Sequence, residues 1–197
     1  MQRSRSYLGD YDVVIIGAGI VGSMITRELS KFEGRFALLD KEAFCGYGVS
    51  KAGLPQIHSP DFFCPPGMLK GKLCVEASVR FKKLANELDV IYRETDELWL
   101  ALEPSHIANL ETQKKVAEEY YGATGFEMIG PEKIRELEPY VTKRALGALY
   151  VKGLGVIYSP EWTFALTENA VQNGVHLDLK TTVMDIKKEE DFAGHSF

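Results

Sequence analysis

Gly17, Gly19 and Gly22 stand between an apolar, β-branched run, Asp12 to Ile16, and a stretch whose Ile20, Val21, Met24, Ile25 and Leu29 recur at helical spacing. Strand, G-x-G-x-x-G and helix in that order make a phosphate grip. Gly17 permits the tight turn, Gly19 lets the backbone approach a pyrophosphate, and Gly22 lets the helix pack close to the strand. The first-turn N–H groups, those of Ile20 and Val21 among them, have no intrahelical acceptor and aim the positive end of the helix dipole at an anion. Asp40 follows 18 residues after Gly22, at the end of the next apolar run. There a carboxylate accepts from both hydroxyls of an adenosine ribose and repels a 2′-phosphate. These residues point to an adenine dinucleotide without that phosphate. FAD and NAD share the unit, so the choice between them stays open at this stage.

These groups must be positioned by a βαβ unit: a strand over Asp12 to Ile16 buried on both faces, a helix from Ile20 through Phe32, and a second strand from Phe36 to Leu39. Cys45 to Gly71 is irregular by composition, with "GYG" and "CPPG", and connections of that length are usually functional or disordered. Leu73 to Leu88 reads as a helix with Ala77, Phe81, Leu84, Ala85 and Leu88 on one face. Glu97 to Leu102 reads as a strand, and Ser105 opens a helix reaching Tyr120. Pro131 to Leu137 is a short helix, by proline at its start. Strands are expected around Leu149 and Val156, a helix opened by Ser159 and Pro160 and stopped by Asn173-Gly174, and strands over Val175 to Leu179 and Thr181 to Ile186. The sequence carries no internal repeat.

The charge balance, 23 Lys+Arg against 28 Asp+Glu for a net −5, includes no basic block of the kind a nucleic-acid-binding arm uses. Arg3 and Arg5 belong to a short polar tail. No apolar run reaches the length of a membrane-spanning helix, so a cytoplasmic protein is expected. Cys45, Cys64 and Cys74 lack the close pairing of a metal or CxxC redox site, and reduced thiols are expected. Cys64, before Pro65-Pro66-Gly67, is placed in a loop where a thiol could react.

Beyond the glycines, "DVVIIGAGIVG", "ALLDKE", "GVSKAG", "PPGMLKGKLCVEA", "GALYVKGLGVIYSPEWTFALTENAVQNGV" and "TTVMDI" resemble the FAD-dependent oxidoreductases that include D-amino-acid oxidase and glycerol-3-phosphate dehydrogenase, above all the anaerobic-type glycerol-3-phosphate dehydrogenase-like members. The resemblance implies an α/β fold: a Rossmann-like FAD-binding domain with a parallel central sheet, plus the beginning of an α+β substrate-binding domain. It implies a FAD-binding core and flavin loop over residues 1–90, part of the substrate-binding domain over 91–155, and a return to the FAD-binding domain, cut short, over 156–197. FAD is then the cofactor, with Lys41 beside Asp40 and with Ser50, Lys51 and Ala52 of the flavin loop as contacts. Val49 and Gly53 depart from the Thr and Asn usual in that loop. Val183, in the strand Thr181 to Ile186, matches the residue whose backbone holds adenine. His58 stands where family members carry a histidine near the flavin, and would take the substrate's hydroxyl or amine proton. Tyr150, Tyr158 and Trp162 are candidates to line a pocket.

The resemblance implies oxidation of a small CH–OH or CH–NH substrate by hydride transfer to flavin, with glycerol 3-phosphate leading. Members run on past the position of Lys188, which implies a second copy or a partner chain covering the sheet. The alternative reading is a catalytically incomplete nucleotide-binding fragment or subunit that needs a partner chain.

Overall fold

The computed structural model describes residues 9–58 and 64–188. The chain forms two units, residues up to Gly53 together with those from Ser159 onward, and Leu54–Tyr158.

Unit 1 is a parallel sheet with two helices. β1 (Val13–Ile16), β2 (Phe36–Asp40) and β7 (His176–Leu179) lie in the order β1-β2-β7. Val13 pairs with Phe36 and Ala37 with His176, both ladders parallel. β2 is the central strand and is buried through Leu39. β1, expected to be buried on both faces, is an edge strand among the described residues, and leaves Val13, Val14 and Ile16 exposed at 38%, 45% and 54%. An edge strand has one ladder neighbour, so half of its cover must come from elsewhere.

α1 (Ile20–Leu29) packs on α5 (Ser159–Gln172). The apolar spacing locates α1 but not its inward face. Ser23 and Thr26 are fully buried, while Val21 and Ile25 stay 69% and 48% exposed. Small hydroxyl residues let the helices approach closely, and each finds a hydrogen-bond partner. Thr167 donates to Ser23 Oγ at 2.9 Å, and the Thr26 hydroxyl donates to the Gly22 carbonyl at 2.7 Å. α1 ends at Leu29, short of the expected Phe32, which is 70% exposed. α5 starts at Ser159 as expected, and Trp162 and Leu166 are fully buried on it.

The strand expected over Thr181 to Ile186 does not form. Lys180 takes the left-handed conformation at φ 56°. The chain then turns so that Thr181 N–H donates to the Asp40 carbonyl at 2.9 Å. A strand needs a neighbouring backbone to bond, and no strand pairs with this segment among the described residues. Met184 and Ile186 are 86% and 78% exposed.

Unit 2 is an antiparallel sheet. The two strands expected around Leu149 and Val156 are one strand, β6 (Gly147–Ile157), which pairs with β3 (Gln56–Ile57), β4 (Tyr92–Ala101) and β5 (Phe126–Ile129). β4 begins five residues before the expected Glu97, and β5 was not expected. The continuity of β6 rests on Gly153, whose φ of 71° suits glycine, facing a register shift between Thr95 and Glu97. Asp96, turned out by that bulge, accepts from Gly153 N–H at 2.9 Å and from the Tyr150 hydroxyl.

The Tyr150 hydroxyl, first, and the Gly153 N–H hold the Asp96 carboxyl below the ordinary aspartate range. A lowered folded value means stability present above the unfolded value, near 3.9, and lost as pH falls through the folded one. The Asp96→Asn variant is expected to flatten the fall of thermal stability below about pH 4, measured by Tm against pH.

α2 (Leu69–Leu88) begins four residues before the expected Leu73, and Gly71 in its first turn fits under Tyr121: a Cβ there would lie 2.3 Å from the ring. α3 (Pro104–Lys115) continues as one π turn, Val116–Tyr120, and buries Leu110 and Ala117 against Leu149 and Val151. α4 (Pro131–Leu137) has the expected bounds.

Candidate cofactor site

The glycine turn, Asp40 and the loop after it meet in unit 1. Gly17 has φ 105°, open to glycine, and its N–H donates to the Leu39 carbonyl at 2.7 Å, closing the turn against β2. A Cβ on Gly22 would sit 2.0 Å from the Gly17 carbonyl oxygen and 3.5 Å from Ile15 Cγ2. Gly22 therefore sets how near α1 comes to the turn. The atom crowding Gly19 is Ser50 Oγ, 3.2 Å from a Cβ built there.

Ser50 accepts the Ile20 N–H at 2.9 Å, so the one-turn 3₁₀ helix Val49–Ala52 caps α1 from a distance of 30 residues in sequence. The same loop is tied to the turn by Gly46 N–H to the Ala18 carbonyl, 2.7 Å, and by Lys51 N–H to the Gly46 carbonyl, 3.0 Å. Asp40, half-buried, accepts Ala18 N–H on Oδ2 at 2.6 Å and Glu42 N–H on Oδ1 at 2.8 Å. Each carboxylate oxygen carries two lone pairs, so one acceptor site on each remains for ligand hydroxyls.

Lys41 and Ala52 are exposed. Lys51 is exposed too, with its ammonium 3.4 Å from the Tyr47 ring centroid. Val183 is half-buried on the segment that leaves Asp40 through Thr181. His58 is exposed and belongs to unit 2. Of the aromatic candidates, Trp162 is fully buried in unit 1, Tyr150 donates its hydroxyl to Asp96, and Tyr158 is 63% exposed. Cys64 is 2% exposed, which removes it from the candidates for an accessible thiol.

Two residues of the site escaped sequence reasoning. Cys45 is buried beside the turn, and burial, with the Asp40 charge adding to it, pushes its thiol up, so it stays neutral. Gly46 takes φ 73° against Thr163, whose Cγ2 would be 3.1 Å from a Cβ there. The signal was present in "GYG", where a glycine so close after the acid marks a left-handed turn.

Residues 12–195 match the family model described as FAD dependent oxidoreductase. The chain belongs to this family. A glycerol 3-phosphate dehydrogenase of Caloramator mitchellensis is 38% identical over 91% of the chain and 37% of its own length. A mitochondrial L-2-hydroxyglutarate dehydrogenase of Caenorhabditis elegans is 35% identical over 76% of the chain and 34% of its own. The crystal structure of glycine oxidase from Geobacillus kaustophilus superposes with a TM-score of 0.81 at 25% identity, over 93% of this chain and 50% of that one. The chain thus spans between a third and a half of the length of these relatives.

The parallel α/β sheet and the FAD-dependent family agree with what the sequence implied. The geometry suits such a cofactor: a glycine turn opening a helix whose first N–H is held by Ser50, and a carboxylate fixed by two backbone donors with acceptor sites to spare.

Proposed function

We propose that unit 1 holds FAD and that the protein takes part in oxidising a small CH–OH or CH–NH substrate, with glycerol 3-phosphate the leading candidate. The observation that carries the reading is the Asp40 carboxylate bonded to Ala18 N–H at 2.6 Å, which locks the acid ending β2 onto the glycine turn opening α1. In this reading the turn made by Gly17, Gly19 and Gly22 lets the pyrophosphate approach the start of α1 at Ile20 and Val21, where the Ile20 N–H is already held by Ser50, and Asp40 receives the ribose hydroxyls. Lys41, Ser50, Lys51 and Ala52 line the path of the remaining cofactor, and the backbone of Val183 meets adenine. FAD, when bound, supplies the hydride acceptor. His58, carried by unit 2, takes the proton from the substrate's hydroxyl or amine.

The relatives support the redox class and divide over the substrate, since one is a glycerol 3-phosphate dehydrogenase, one an L-2-hydroxyglutarate dehydrogenase and one a glycine oxidase. Anaerobic addition of each compound to flavin-loaded protein tests this. Loss of the visible flavin bands with glycerol 3-phosphate, and not with 2-hydroxyglutarate or glycine, is expected; the reverse would reassign the substrate.

No described helix is long and apolar enough to cross a membrane, and a cytoplasmic setting is part of the proposal. So is a second copy or partner chain. Val13, Val14 and Ile16 on β1, with Val21 and Ile25 on α1, form an exposed apolar set that water covers poorly. Light scattering is expected to report a mass above that of one 22.0 kDa chain. A clean monomer that binds no hydrophobic dye would reject this. The second reading, a nucleotide-binding subunit incapable of turnover alone, rests on the chain's share of its relatives' length. It is the outcome if FAD binds but no substrate bleaches it.

A further inference from the structure

Unit 2 holds a cavity of about 580 Å³, a size suited to a small organic ligand. Among the described residues its polar lining is Gln56, His58, Glu97 and Trp99, and its apolar lining includes Leu98 and Leu100. Glu97 is the fixed point of this wall. Its Oε1 accepts from the Gln56 amide, and its Oε2 accepts from the Trp99 indole N–H at 2.7 Å. Both donors are neutral, so they orient the carboxylate without cancelling its charge. Three lysines of the same unit are engaged with other acids: Lys82 with Glu94 at 2.6 Å, Lys152 with Glu127 at 2.6 Å and Lys133 with Glu136 at 2.8 Å. Among the described residues no ion pair reaches Glu97. Each of its oxygens keeps an acceptor site.

We propose that this cavity binds the donor-bearing end of a small substrate, a hydroxyl or ammonium group, and that Glu97 is the specificity-determining residue that accepts this end and rejects phosphate. The inference rests on the reading that the protein acts on a small CH–OH or CH–NH compound, and adds an orientation to it. Glycerol 3-phosphate enters with its glyceryl hydroxyls toward Glu97 and its phosphate away from it. A fixed anion in a cavity favours donors and cations and raises the cost of bringing a second anion close.

Trp99 makes the test direct, because its indole N–H bonds the carboxylate in question. The chain has two tryptophans, so an ¹⁵N-labelled sample gives two indole signals, and Trp162, buried in unit 1, is the internal check. The probes are serinol, a diol carrying an ammonium at neutral pH, glycerol, and inorganic phosphate, each added to the whole chain without FAD.

Serinol is expected to move the Trp99 signal saturably, glycerol to move it more weakly, and phosphate to leave it in place. Glu97→Gln, nearly isosteric, is expected to weaken the serinol response at least tenfold with the Trp162 signal unchanged. A Trp99 signal indifferent to serinol and glycerol, or a Glu97→Gln protein that titrates like the wild type, overturns the inference. A chain that answers serinol but takes up no flavin keeps the cavity assignment and loses the functional reading. One that takes up flavin while Trp99 stays indifferent does the opposite.

Discussion

Gly22→Ala is expected to destabilise unit 1 by about 3 kcal/mol, the upper part of the range for overpacking a filled site, and to abolish FAD uptake. The added methyl would lie 2.0 Å from the Gly17 carbonyl oxygen and 3.2 Å from the Gly17 carbonyl carbon. Both are backbone atoms of the turn itself, so no rotamer change relieves the clash. α1 must move off β1, and the first-turn N–H groups move with it. Gly19→Ala is the matched control. Its Cβ would meet only Ser50 Oγ, at 3.2 Å, the end of a side chain that can turn away at the cost of one helix cap, about 1 kcal/mol. Urea unfolding of the three proteins measures this directly. Equal midpoints for Gly22→Ala and wild type would contradict the packing account.

Asp40→Ala is the second large effect, because one carboxylate serves both the fold and the ligand. Its loss leaves Ala18 N–H and Glu42 N–H without their acceptors, at 2.6 and 2.8 Å in the intact protein. Bonds to a charged acceptor contribute about 1.5–3 kcal/mol each, and the half-buried setting of Asp40 argues for the lower end. A fall in stability of about 2–3 kcal/mol is expected on that basis. FAD affinity is expected to fall about a hundredfold, the equivalent of losing a pair of hydroxyl contacts to a carboxylate. Asp40→Asn separates the roles: its amide oxygen keeps one backbone bond, while its NH₂ faces a second N–H donor. Calorimetry that finds FAD binding unchanged in Asp40→Ala would remove Asp40 from the site.

The parts that were legible in the sequence are those where a local pattern has one mechanical solution. Strand, spaced glycines, helix and terminal acid can fold together in few ways, and Asp40 lies against the turn that the glycines make. Pro131 at a helix start and Asn173-Gly174 at a helix end were equally local. What failed was the environment of each element. The apolar residues of α1 give its period, yet its inward face is Ser23 and Thr26, because α5 presents Thr167 to Ser23 and close approach outweighs apolar area there. β1 has the composition of a doubly covered strand and lies at an edge among the described residues. The segment Thr181 to Ile186 has strand propensity and no ladder partner among the described residues. β5 forms by pairing with β6, and the joining of β6 through Gly153 faces a bulge in β4, 57 residues away. The resemblance marks Ser50 as a flavin-loop residue, and no spacing in the sequence implies its bond to Ile20 N–H.

The central claim is that the turn, Asp40 and the Ser50 loop together hold FAD. The most direct measurement is isothermal calorimetry of the purified whole chain with FAD, repeated with NAD and NADP, alongside the visible spectrum of the protein as isolated. The account predicts saturable FAD binding at one per chain, a flavin spectrum, and no comparable heat from either nicotinamide dinucleotide. A folded chain that gives no heat with FAD and stays colourless, or one that binds NAD in its place, would contradict it.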